Sequence, residues 1–203
     1  ATVDVLHDAA FLGMDLWTRG LQDVAARMWS RYLAERQDYS GLALAPVFFS
    51  KRAAVRAKTA LHRAGLDEGE EAAASQREAQ RYAQAALALL ERPSARLVAI
   101  GGLSGSGKTT IARTLAPSLV VAGGAIHIRS DVIRKLQQGL PAEEKLPSAA
   151  YTKDASAAVY KAMFDTATAC LKQGVPVILD AVFADPAERA QAEAVANRIN
   201  VPF

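Results

Sequence analysis

Eight consecutive residues, Gly102 to Thr109, constrain this chain more than any other feature: they read GLSGSGKT. Glycines at this spacing let the backbone curl until successive amide hydrogens face inward, forming an anion cradle that no side chain obstructs. Such a loop is built between a strand that delivers it and a helix whose positive end completes it. Both are legible here. Leu97 to Ile100 is a short apolar run that reads as a buried strand, and Thr109 to Leu119 reads as a helix. Lys108 supplies a mobile cation for β- and γ-phosphates, and the Thr109 hydroxyl is of the type that ligates magnesium. The motif therefore predicts ATP and Mg2+ as ligands, with Gly102, Ser104, Gly105, Ser106, Gly107, Lys108, Thr109 and Thr110 around the phosphates.

The rest of the second half fits a parallel sheet. Ala125 to Arg129 and Val175 to Leu179 read as strands, while Val132 to Gln138, Thr152 to Gln173 and Pro186 to Ile199 read as helices. A further strand is expected to start within Asn200 to Phe203. Alternating strands and helices give a sheet with helices on both faces. Before residue 92 the grammar is different. Val5, Leu6, Ala9, Phe11, Leu12 and Leu16 recur at three- and four-residue steps, and Leu21, Val24, Ala25, Met28, Trp29, Tyr32 and Leu33 repeat the pattern. Two more helices are expected, from about Leu42 to Ala64 with Pro46 in the first turn, and from about Glu68 to Glu91. The expected division is an all-α segment over residues 1–92 and a nucleotide-binding domain over 93–203, with the boundary near Arg92, Pro93 and Ser94.

Composition narrows the partners. The chain carries 24 basic and 21 acidic side chains, and the surplus lies entirely after residue 92. That slight excess suits a small phosphorylated ligand and argues against a nucleic-acid duplex, which demands a basic face. No apolar run is long enough to cross a membrane. Cys170 is the single cysteine, which excludes an intramolecular disulfide and a cysteine metal cage, and a cytoplasmic setting is expected. The first residues, ATVDVLHD, carry no secretion signal and no initiator methionine, which predicts an interior piece of a longer protein.

Three residues outside the loop are candidates for chemistry. Asp131 and Arg134 lie in IRSDVIR directly after the second strand, where an open parallel sheet presents its crevice. A carboxylate there orients or deprotonates an acceptor hydroxyl, and an arginine one turn on holds the acceptor or the transferring phosphoryl group. The competing reading makes Asp131 a helix cap and Arg134 a solvated side chain. Asp180 ends VPVILD and is expected near the magnesium shell with Thr109. Ser130 is a weaker candidate. His7, His62 and His127 share no metal spacing and read as structural; Cys170, Trp17 and Trp29 read as packing residues. Arg52, Arg56 and Arg63 read as one solvated or internally paired helix face.

GLSGSGKTTIA, IRSDVIRK and VPVILDAVF followed by DPAER together resemble the P-loop small-molecule kinases that include bacterial predicted kinases, gluconate kinases and adenylylsulfate kinases. The resemblance implies a P-loop NTPase-type α/β fold, with Lys108 and Thr109 handling ATP and magnesium and Asp131 and Arg134 facing the acceptor. The aromatic, arginine-rich acceptor segment of adenylylsulfate kinases is not matched by LPSAAYTKDASAAVYKAM. Over residues 3 to 62 the chain is similar to the helical end of an aminoglycoside-phosphotransferase-like domain that bacteria fuse to a P-loop kinase. That implies contact with an upstream phosphotransferase-like domain. The catalytic histidine and aspartates of that family have no counterpart in these residues, and five strands and lid arginines of a P-loop kinase are not all present.

The expectation is therefore an ATP-dependent phosphotransferase acting on a small hydroxyl-bearing acceptor. Its alternative is a nucleotide-operated regulatory or assembly ATPase with no small-molecule acceptor; a third reading is a helical interaction domain with a decayed nucleotide site.

Overall fold

The computed structural model describes residues 4–92, 94–120, 122–141, 144, 146 and 151–203. The expected boundary residue Pro93 and much of the expected acceptor segment between Gln137 and Tyr151 lie outside the described residues.

Four helices come first: α1 (Val5–Thr18), α2 (Gln22–Arg36), α3 (Ala45–Ala64) and α4 (Gly69–Ala88). Asp4 starts α1, its side chain accepting the Leu6 amide hydrogen at 2.9 Å, which satisfies one of the donors a helix start leaves open. A short 3-10 turn, Leu42–Leu44, precedes α3, and Pro46 sits in the first turn of α3, where its missing N–H costs nothing. α3 and α4 form an antiparallel pair clasped by Arg63 on Glu78 and by the Ser75 hydroxyl donating to Asp67 at 2.8 Å. Arg52 and Arg56 pair with Asp8 and Asp15 of α1, so the arginine face of α3 is internally paired.

The second half contains β1 (Leu97–Ile100), α5 (Lys108–Leu119), β2 (Ile126–Arg129), α6 (Ser130–Gln137), α7 (Lys153–Lys172), β3 (Val177–Asp180) and α8 (Pro186–Ile199). The three strands are parallel in the order β1-β3-β2. Side-chain alternation along β3 decides what covers each face. Val177 and Leu179 enter a large core with Val159, Met163 and Ala167 of α7 and Val195 of α8, whereas Ile178 packs with Ala112 and Ala116 of α5. Helices thus cover both faces, as expected for parallel strands. α8 starts with a reciprocal cap between Asp185 and Glu188. Residues 201–203, where the further strand was expected to start, form no strand; the Pro202 carbonyl accepts the Leu97 amide hydrogen at 2.9 Å, beside β1.

The two halves pack closely. The large core contains Trp29, Leu33, Phe49, Ala53 and Leu89 together with the sheet residues Leu97, Ile126 and Val177. β2 lies at the sheet edge, and α2 covers it: the Ser30 hydroxyl oxygen accepts the His127 backbone hydrogen at 3.2 Å, satisfying a donor that an edge strand leaves open. The approach is close enough to require glycine. A Cβ on Gly124 would lie 2.5 Å from the Ala26 Cβ, and Gly124 also has φ +74. Among the described residues, no helix is long and apolar enough to cross a membrane.

Candidate nucleotide-binding site

The parallel register puts Ile100, Arg129 and Asp180 in one row at the carboxyl ends of the strands. That edge is where parallel α/β sheets receive ligands, because the chain turns there from strand to helix and presents free amide hydrogens. The GLSGSGKT loop leaves this edge from β1 and enters α5 at Lys108. Gly105 and Gly107 have φ +81 and +86, a region that costs a side-chain-bearing residue strain, and Gly107 caps the helix in that conformation. The loop is braced from β3: the Gly102 amide donates to the Val182 carbonyl at 3.1 Å and the Ala181 amide donates to the Ile100 carbonyl at 3.3 Å. Lys108 Nζ donates to the Leu103 carbonyl at 3.0 Å, so the mobile cation lies folded against its own loop. Ser104, Ser106 and Thr110 are exposed on the loop and the first turn of α5.

Thr109 and Asp180 meet. The Thr109 hydroxyl donates to Asp180 Oδ2 at 2.6 Å, joining the start of α5 to the end of β3. The same carboxylate oxygen is 3.1 Å from His127 Nε2 and 3.7 Å from Arg129 Nε. Alternation explains the company: His127 and Arg129 are paired with Ile178 and Asp180, so all four project on the α5 side of the sheet. Asp180 is buried, 3% exposed. Burial is the largest single influence on its carboxyl and pushes the pKa up, but hydrogen bonds from His127 and Thr109 and the charges of His127 and Arg129 together outweigh it, and the group lies below its ordinary value. The result is a buried, ionised carboxylate beside a hydroxyl that donates its proton to it, so the hydroxyl oxygen keeps lone pairs for a cation. Two hard oxygen donors of this kind fit magnesium, which takes its other ligands from phosphate and water. Among the described residues, no group of three or more histidine, cysteine or acidic side chains offers an alternative metal cage.

Asp131 and Arg134 lie one turn apart on α6 in unlike surroundings. α6 starts at Ser130, so Asp131 occupies the first turn and is not the cap; it is partly exposed, 3.4 Å from Lys135 Nζ. Arg134 is buried, not solvated: its guanidinium lies 4.9 Å from the Tyr151 ring centroid, and Nη2 donates to Ser156 Oγ of α7 at 3.4 Å. Among the described residues, no hydrogen bond or ion pair joins Asp131 to Lys108, Thr109 or Asp180.

Sequence reasoning missed His127 and Arg129. The signal was the alternation in IHIR, which puts both polar side chains on one face of β2; that face became meaningful only once β3 was known to lie beside β2. It also missed the clamp on the turn after Asp180. The Tyr160 hydroxyl accepts the Phe183 amide hydrogen at 3.0 Å, Arg189 Nη1 donates to the Phe183 carbonyl, and Phe183 holds φ +50. Burial pushes the Tyr160 phenol up to about 12.

Residues 97–203 match the family described as AAA domain. Uncharacterized protein Rv2004c of Mycobacterium tuberculosis (strain ATCC 25618 / H37Rv) and uncharacterized protein Mb2027c of Mycobacterium bovis (strain ATCC BAA-935 / AF2122/97) are each 33% identical over 197 residues, 96% of this chain. The chain spans 38% of the length of these curated relatives, and the aligned region includes most of the helical segment that precedes the family match. No solved structure matches the chain. With more than half of its residues inside the family match, and with the phosphate loop, all three strands and the Thr109–Asp180 pair within it, the chain belongs to the AAA domain family of P-loop nucleotide-binding proteins.

Proposed function

We propose that the protein of which this chain is a part is an ATP-dependent kinase that transfers the γ-phosphate to a small hydroxyl-bearing acceptor. The observation that carries this reading is the Thr109 hydroxyl donating to the buried, ionised Asp180 at 2.6 Å, at the end of a complete GLSGSGKT loop. A fixed hydroxyl–carboxylate pair of this sort is what a nucleotide–magnesium site needs.

Thr109 and Asp180 would hold magnesium, the first directly and the second directly or through water. When bound, the ion supplies positive charge that offsets the charge developing on the β- and γ-phosphates. Backbone amides of the loop that make no internal hydrogen bond among the described residues, at Gly105, Gly107, Lys108 and Thr109, would donate to phosphate oxygens, and Lys108 would exchange the Leu103 carbonyl for them. Asp131 orients the acceptor hydroxyl and accepts its proton, and Arg134, held by Tyr151 and Ser156, fixes the acceptor through the guanidinium edge. The helical segment, residues 1–92, is proposed to join this domain to a phosphotransferase-like part upstream.

Lys108→Ala in the complete protein is expected to abolish acceptor-dependent phosphoryl transfer. Undiminished transfer by that variant would overturn the assignment. A second reading, a nucleotide-operated regulatory module, is favoured by one observation: α2 lies directly on β2 and α5, so the helical segment touches elements that carry the site. Hydrolysis without acceptor, together with partner binding that differs between ATP and ADP, would support it.

A further inference from the structure

A cleft of about 590 Å³ opens between the helical segment and the nucleotide-binding part, walled by α2 on one side and by α5, β2 and α6 on the other. None of residues 102–109 lines it. Its size falls in the range of small-molecule sites. Its floor is apolar, from Val24, Met28 and Ala34 of α2 and from Ala116, Val132 and Leu136 opposite.

Its charge is one-sided. Arg27, Arg31, Arg113, Arg129 and Lys135 line it, drawn from four different elements, against the single carboxylate of Glu35 among the described lining residues. The whole chain carries a surplus of only three positive charges, so this gathering is not a sample of the general surface. Arg27, Arg31 and Lys135 each share their charge with a carboxylate one helical turn away, on Asp23, Glu35 and Asp131. Arg129 differs: its Nε is buried, makes no hydrogen bond among the described residues, and stands at ion-pair distance from Asp180. Its side chain is nonetheless 31% exposed and lines the cleft, so part of this cation is open to an occupant there. His127, whose side chain is 8% exposed, also lines the cleft while its Nε2 faces Asp180.

We propose that this cleft is a second ligand site, separate from the phosphate loop, for a small amphipathic anion: an organic molecule with an apolar body and one carboxylate or phosphate group. The apolar body lies on the α2 and α6 side chains, and the anionic group meets Arg113 and Arg129. Because Arg129 and His127 also touch Asp180, the occupant shares two residues with the wall of the nucleotide site, and each ligand is expected to alter the affinity of the other by the same factor.

The test uses 8-anilinonaphthalene-1-sulfonate, an anion with an apolar body, titrated into the full chain with fluorescence as the readout, followed by competition with octanoate and with hexyl phosphate. The expected result is one saturable site that survives Lys108→Ala and is not emptied by saturating Mg·ATP. Arg113→Gln/Arg129→Gln should weaken it at least tenfold, and Ala34→Trp, which fills the floor without changing charge, should abolish it. Whichever of octanoate or hexyl phosphate displaces the probe at lower concentration identifies the carboxylate or the phosphate as the preferred group. Loss of binding in Lys108→Ala, full displacement by Mg·ATP, or indifference to the arginine substitutions would overturn the proposal. So would a probe that neither anion displaces.

Discussion

Replacing Trp29 with alanine tests whether the helical segment and the nucleotide-binding part are one cooperative unit. Trp29 is 1% exposed, packs edge-on against Phe49 of α3 with ring centroids 5.1 Å apart, and lies over the Gly123 turn that leads into β2. A buried aromatic of this kind removes roughly 150–250 Å² from water. At about 25 cal/mol per Å² that is about 4–6 kcal/mol, and a partly compact unfolded chain reduces it by roughly 10–40%. The remainder, about 2–5 kcal/mol, overlaps the general cost of truncating a buried aromatic to alanine, about 3–5 kcal/mol. For a chain of this length each kcal/mol moves Tm by about 2–4 °C, so a loss of about 4 kcal/mol is expected to lower Tm by roughly 8–16 °C. The assay is thermal unfolding followed by circular dichroism at 222 nm, with and without Mg·ATP. One transition is expected in both proteins, with the ligand-induced rise lost in the same step as the helix signal. A fall of less than about 3 °C, or a variant whose helices melt early while a ligand-responsive transition stays at the wild-type temperature, would refute the shared core.

Asp180 gives a pH dependence of definite sign. Its pKa is depressed in the folded chain, so it stabilises the fold above the ordinary carboxylate pKa and that contribution fades as pH falls through the depressed folded value. Urea unfolding across the acid range should show a stability loss that is shallower in Asp180→Asn; identical slopes would contradict the assignment. Tyr160→Phe removes the acceptor of the buried Phe183 amide hydrogen and is expected to cost about 1–3 kcal/mol in urea unfolding, with an unchanged midpoint as the contrary result.

Much of this architecture was legible in the residues because it rests on local chemistry. The loop announced its own strand and helix, Pro46 marked the first turn of α3, and Pro186 to Ile199 is α8 as read. Helix ends drifted where a cap lies outside the periodic pattern: α6 starts at Ser130, two residues before its first apolar position. The candidate site was half visible. Thr109 and Asp180 were named from motif and strand end, and they meet. His127 was set aside because spacing along the chain is silent on which strands are neighbours; β3 lies between β1 and β2, and only that order brings His127 and Arg129 to Asp180. Arg134 reads from sequence as an acceptor-facing candidate with a solvated side chain as the competing reading, and its burial was not legible because its partners, Tyr151 and Ser156, come from later in the chain. The packing of α2 on β2 was hidden for the same reason. Ser30 and Ala26 look unremarkable until Gly124 and His127 are set against them.

The central claim is that the γ-phosphate leaves ATP for an organic hydroxyl. Phosphorus-31 NMR of the complete protein with Mg·ATP and a panel of sugars, nucleosides and aminoglycosides tests it directly. A new phosphomonoester resonance is expected that depends on one acceptor class, grows as ATP falls, and vanishes in Lys108→Ala. ATP consumption yielding inorganic phosphate alone, whatever acceptor is supplied, would contradict it.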